Sequence, residues 1–269
     1  MIAVLSVILV LLFLLTGRKR GVRSLKALAI NIGLFFLDIV LLNLYVNAYV
    51  VCIITCALMV AVILFYQNGL NLKTSSAALA VMIVIVLLMI VSGIVSNLLQ
   101  LGSFNEFLIY EEDIAALDVN VRMNFAAISA ALLIVAVLGS VIDVAISVTS
   151  STYEIAVNGT EDTHELFRAG KRVGKTVFST TVNTLFFACI GESLFLIICI
   201  NDSGYTFGQF INSASFAEIA MPVFLSGIGC ILAVPISTFA ITFSLELQRN
   251  RQQQGLQRNR RENGRQKKK

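Results

Sequence analysis

The sequence predicts an all-α protein that crosses a membrane about seven times, and three observations predict it. The chain is 57% hydrophobic and only 13% charged, where a soluble domain carries about 25% charged residues. Its mean hydropathy is +0.86, gathered into recurrent uncharged runs near the ~20 residues that a helix needs to cross a bilayer. Its basic residues are concentrated in alternate connections between those runs, as expected when loops are sorted by charge across a membrane.

The apolar runs place spans at roughly 1–16, 26–45, 48–66, 75–98, 122–150, 176–200 and 217–246. The first run begins at the first residue and its charges, Arg18, Lys19 and Arg20, follow it. That is the reverse of a cleavable signal peptide, so it reads as an anchor span with an outside N-terminus. It is short, and snorkelling of Arg18 and Lys19 can extend its reach. In that orientation the segments Arg18–Lys26, Lys73, Arg168–Lys175 and the C-terminal tail all face the cytoplasm, and Arg122 is the one basic residue left outside. The long outside connection, 100–121, carries Glu106, Glu111, Glu112, Asp113 and Asp118 instead and is expected to form a short surface helix. The organisation is thus an anchor over 1–16, a six-helix membrane domain over 26–246, and a basic tail over 247–269. The tail is polar enough to be expected without fixed structure. It suits retention and orientation in the cytoplasmic membrane, or contact with anionic lipid at ~1 kcal/mol per basic residue; nothing in it specifies a nucleic acid.

Few residues suggest covalent chemistry. Cys52, Cys56, Cys189, Cys199 and Cys230 all lie in apolar runs without metal-ligand spacing, which suits packing thiols. His164 stands in a polar connection with no ligand cluster around it. A rhomboid-type GxSG is absent, since Gly191-Glu192-Ser193 is followed by Leu194; Asp143 is preceded by GSVI rather than the GxG of aspartyl intramembrane proteases; no phosphate-binding loop exists. The expectation is a non-enzymatic protein with no metal and no cofactor.

The informative stretch is GSVIDVAISVTSSTYE, 139–154. At helical spacing Gly139, Asp143, Ser147, Ser150 and Glu154 share one face, small or polar against a Val/Ile remainder, with Ser140 beside it as a further small packing residue. An aspartate inside a span costs ~2.5–3.5 kcal/mol on insertion scales and usually marks an ion or proton pathway facing the bundle interior. The next span sets Thr176, Thr180, Asn183 and Thr184 along one side, able to hydrogen-bond such a carboxyl. The sequence therefore leads one to expect Asp143 turned inward against Thr180–Thr184, either loading and releasing a proton or acting as a neutral clip between helices. Two more intramembrane acids stand behind it. Asp38 lies with Asn31 and Asn43 on a similar side of its span, and Glu192 lies in the outer half of the sixth. The connector 152–174 is expected to form a surface helix or helix–turn in which Glu154 reaches toward Arg168 or Arg172.

Several motifs together resemble one family. TGRKRGVRSLKAL, FYQNGLNLKTSSAALA, YEEDIAALDVNVRMNF, GSVIDVAISVTSSTYEI, FRAGKRVGKTVFSTTVNTLFFACIG and AEIAMPVFLSGIGCILAVPIST are similar to the YibE/F multi-spanning membrane proteins, of the smaller, YibF-like kind. The resemblance implies a YibE-like partner and carries no established activity. Gly139 four positions before Asp143, Glu154 further on, and AG…VG followed by Asn183-Thr184 also resemble SecD/SecF and the resistance-nodulation-division transporters. That likeness implies a proton-relay role for Asp143, with Asn183 and Thr184 as the polar pair of the following helix. Spans two to seven would form the six-helix unit. The departures are a single aspartate in place of a pair and the lack of a basic residue facing it, which a partner half would supply. The expected function is a subunit of a proton- or sodium-coupled transport or export complex; the alternative is a non-transporting structural or assembly subunit.

Overall fold

A computed structural model describes residues 2–43, 47–98, 125–159, 162–202 and 206–266. The described chain is helical throughout, in the order α1 (Ile2–Asn43), α2 (Ala48–Ala61) continuing as a π-helical turn (Val62–Gln67), α3 (Leu72–Leu98), α4 (Phe125–Val157), α5 (Thr163–Asp202), the short α6 (Phe207–Ile211) and α7 (Ala214–Gln266). Among the described residues six stretches are long and apolar enough to cross a membrane: Lys19–Leu42, Ala48–Gln67, Leu72–Val95, Ala127–Val157, Thr163–Leu194 and Ser215–Arg251. Helices satisfy every backbone group internally, which hydrocarbon demands, and no strand occurs among the described residues. The expected outside element over 100–121 lies outside the described residues.

Two expectations are modified. The anchor and second span belong to one helix, and within it Val4–Leu15 is the shorter apolar stretch. No proline interrupts 16–26, so nothing forces the helix to end. The axis nevertheless bends there: a Cβ on Gly21 would fall on the Phe13 carbonyl, whereas eight residues of straight helix advance about 12 Å. The glycine makes that approach sterically accessible. At the other end, α7 continues through Gln266, so the expected irregular tail is helical over most of its length. Its Gln/Arg-rich composition has good intrinsic helix propensity.

α4 is the central element, packed against α2, α3, α5 and α7. Its buried Val137, Val141, Ile142, Ala145 and Val148 form the middle of the main core. Three glycines let the helices approach closely. A Cβ on Gly229 of α7 would come within 2.8 Å of Leu88 of α3 and Val141 of α4. On α5, Cβ atoms at Gly170 and Gly174 would collide with Thr152 and Thr238, and with Val234. Small residues four apart are the usual device for close helix contact in membranes, and Gly170-x-x-x-Gly174 is that device here.

The connection into α3 is built locally. Gly69 takes φ +82°, a conformation favouring glycine. Asn71 caps α3, its carbonyl accepting from Ser75 N–H, while its own N–H donates to the Thr74 hydroxyl at 2.9 Å. Between α4 and α5 the chain turns at Gly159, φ +117°, and Asp162 accepts the His164 backbone N–H at 2.9 Å. The described part of the connector is therefore the ends of two long helices with a turn at Asn158 and Gly159, the helix–turn form of the expectation rather than a separate surface helix.

Candidate functional site

Asp143 sits where the sequence places it along α4, but it faces outward from this chain's bundle. It is solvent-accessible in the isolated chain and makes no hydrogen bond or ion pair with the described residues; beside it Gly139 is also exposed, with open space where a Cβ would project. The expected inward orientation is thereby corrected, and so is its expected shell. α5 meets α4 at Val148 and Thr152 through Gly174 and Gly170. Those positions lie about 140° and 180° around the helix from Asp143 at 3.6 residues per turn, so α5 packs on the opposite side of α4.

The α5 hydroxyls bond to their own helix instead. Thr180 donates to Val177 O at 2.9 Å, and Thr184 to Thr180 O at 3.0 Å, the back-bonding open to threonine in any helix. Thr176, Thr180, Asn183 and Thr184 all lie at least partly exposed, and Thr176 and Asn183 lie opposite the glycine face that packs. The α5 span is the least buried long span of the bundle after packing: only 6% of its window is buried. Glu192 is exposed on the same helix.

Asp143 does have neighbours in α7. The Cys230 thiol lies beside the Ser140 hydroxyl and within electrostatic reach of Asp143. Further along the same α4 stripe, Ser129, Leu132 and Ala136 form one wall of a groove of about 310 Å³, whose other wall is Glu218, Met221 and Pro222 of α7. Groove, Gly139 and Asp143 thus form one outward strip. Its small side chains leave room for another helix, while its single acid is costly to leave against hydrocarbon. At the end of the strip, Ser147 and Ser150 are half-buried, and Glu154 pairs with Lys73 of α3 at 3.2 Å. This replaces the expected pairing with Arg168 or Arg172. Lys73 starts α3 directly against the end of α4, where it also lies over the Tyr153 ring at 4.8 Å.

Among the described residues the fully interior acid is Asp38. It is 1% exposed, and the Thr55 hydroxyl lies 3.1 Å from its Oδ1, while Oδ2 is buried without a partner. Asn31 Oδ1, one heptad back on the same face, is likewise buried without a partner. Cys52 and Cys56, with thiols 3.9 Å apart, pack in the core, and Cys52 donates to Ala131 O of α4 at 3.5 Å. Among the described residues no group of three or more His, Cys, Asp or Glu is placed to hold a metal.

An all-helical chain with six membrane-length apolar helices, and acids placed within them, is an integral multi-pass membrane protein. A family model for YibE/F-like proteins matches residues 5–247, and the chain belongs to that family. No curated protein and no solved structure matches it.

Proposed function

We propose that the protein is a non-enzymatic subunit of a proton- or sodium-coupled transport or export complex, in which a YibE-like membrane protein covers the Asp143 strip. One observation carries this reading: an acid in the middle of a membrane helix, outward-facing, with no hydrogen bond or ion pair to the described residues and open space over the glycine one turn away. Leaving it against lipid costs ~2.5–3.5 kcal/mol. A partner helix supplying hydrogen-bond donors or a basic side chain removes that cost and creates a titratable site at the interface. The likeness of Gly139 and Asp143 to the relay helix of SecD/SecF and the resistance-nodulation-division transporters supports the same reading. So does their division of labour between two unlike halves. The outward α5 face with Thr180 and Asn183 offers a second contact surface for the same assembly. In this reading the chain sits in the cytoplasmic membrane with its N-terminus outside, and the basic end of α7 lies against anionic lipid on the cytoplasmic side.

The experiment is co-expression with the YibE-like protein, co-purification, and proton or sodium flux measured in vesicles. Asp143→Asn retains shape and hydrogen bonding but cannot titrate, so it is expected to keep the complex and abolish flux. Intact flux in Asp143→Asn would refute the coupling role. A complex that assembles through this strip without any flux in the wild type supports the structural alternative.

A further inference from the structure

The seam between α1 and α2 holds a line of polar groups that the Asp143 reading does not use. Ser24, Asn31 and Asp38 are spaced seven apart on α1, which sets them on one face about 10.5 Å apart along the axis. That face meets α2 and its π-helical turn. At the end of the bundle carrying the basic segments, Gln67 Nε2 of the π turn donates to Ser24 Oγ at 3.1 Å. Midway, Asn31 Oδ1 is buried with no partner, and at the inner end so is Asp38 Oδ2. Buried polar atoms left unbonded cost ~1–3 kcal/mol each, and two on one seam, one of them on a carboxyl, call for an explanation beyond packing. A π-helical turn against the same seam adds to that, since such turns occur often at functional sites.

The geometry points to Asp38 as a second ion site, a carboxyl that takes up and releases a proton by way of the Asn31–Ser24–Gln67 end of the seam. The Thr55 hydroxyl makes both protonation states possible without moving a helix. It lies 3.1 Å from Asp38 Oδ1, 3.0 Å from Val51 O and 3.1 Å from Cys52 O. When Asp38 is ionised, Thr55 donates to Oδ1. When Asp38 is protonated, its O–H donates to Thr55 Oγ1 and Thr55 turns its own proton to the Val51 carbonyl. One proton enters from water and leaves to water; no bond between heavy atoms changes. The groups facing the carboxyl are Thr55 and the Cys52 thiol of α2, and among the described residues it makes no ion pair. A neutral clip would also bury Asp38, but would not require an unbonded amide oxygen one heptad along the route.

This inference stands apart from the Asp143 reading, and its test needs no partner or substrate. The full chain in lipid nanodiscs is titrated by infrared difference spectroscopy in H2O and D2O. A protonated-carboxyl C=O band is expected to appear and disappear with pH, to shift on D2O exchange, and to be missing in Asp38→Asn. Asp143→Asn removes only its own contribution, so failure of one site is distinguishable from failure of the other. Thr55→Val is expected to shift the Asp38 band, and serves as the assignment where Asp38→Asn does not fold. Asn31→Leu is expected to slow deuterium exchange of the band about tenfold, equivalent to about 1.4 kcal/mol of added barrier. Spectra of Asp38→Asn and Thr55→Val identical to wild type would overturn the inference. So would a carboxyl band that stays unexchanged in D2O, or exchange in Asn31→Leu as fast as in wild type.

Discussion

Replacing Gly174 with alanine tests whether the α4–α5–α7 contact depends on close glycine packing. The added Cβ would overlap a Val234 methyl and stand 3.2 Å from Val148 Cγ2. Both neighbours are β-branched and stiff at χ1, so neither rotates away easily. Overpacking of this kind costs ~1–3 kcal/mol, and the helix-propensity gain of Gly→Ala returns ~0.8–1.0 kcal/mol. The net loss is about 1 kcal/mol, and Gly170→Ala, which meets Thr152 and Thr238, is expected to behave alike. At about 2–4 °C per kcal/mol for a domain near this size, each substitution lowers the unfolding midpoint by a few degrees. The assay is thermal unfolding in detergent, followed by a thiol-reactive fluorophore. Cys52, Cys56 and Cys230 are fully buried in the folded chain and become reactive on unfolding. Gly139→Ala is the internal control: nothing lies within 4 Å of its Cβ, so the isolated chain is expected to lose no stability. Equal midpoints for Gly174→Ala and Gly139→Ala would mean that the close approach contributes nothing, and the packing argument would be wrong.

Two further outcomes concern the membrane-end contacts and the orientation. Charge reversal at Glu154 breaks the Lys73 pair, whose carboxylate partner is 67% exposed; such surface pairs contribute ~0–1 kcal/mol. Glu154→Lys is therefore expected to leave folded yield unchanged and to shift the midpoint by only a degree or two, and loss of the folded protein would show that the contact is structural. For orientation, a cysteine introduced at Asn250 is expected to react with a membrane-impermeant maleimide in inverted vesicles but not in intact cells. Labelling in intact cells would reverse the proposed topology.

The spans were legible in the sequence because hydrocarbon imposes length and apolarity directly, and six of them appear as expected. The direction in which a stripe faces was not legible. In water, an apolar face marks the core; in a membrane both the core and the lipid are apolar, so the Val/Ile side of α4 fitted either. The contacts decide it: Val137 and Val141 pack around Gly229 of α7, beside Leu88 of α3, Val148 packs against Gly174 of α5, and the small, polar side is left outward. Gly170-x-x-x-Gly174 was readable as a packing motif, but Lys171 and Arg172 between the glycines drew attention to charge. The Asp38 seam has a signal too, in the heptad Ser24, Asn31 and Asp38, of which the Asn31–Asp38 part stands out within an apolar run while Ser24 lies in the basic segment. The π turn that faces it has no mark in the sequence, because Val62–Gln67 is as compatible with α-helix.

The two aspartates make different physical demands on the protein. Asp38 has its hydrogen-bond partner and its enclosing walls within one chain, so its protonation is a property of the α1–α2 seam whatever surrounds the bundle. Asp143 has no hydrogen-bond partner among the described residues, so what lies against the outward strip of α4 bears on it directly. An acid whose ionisation depends on a neighbouring subunit links assembly to protonation, since any change in how closely the partner seats on Gly139 changes the free energy of the ionised form. The open space at Gly139 thus bears on both roles proposed for the strip. In the proposed assembly, a side chain placed there would block the partner's approach to Asp143.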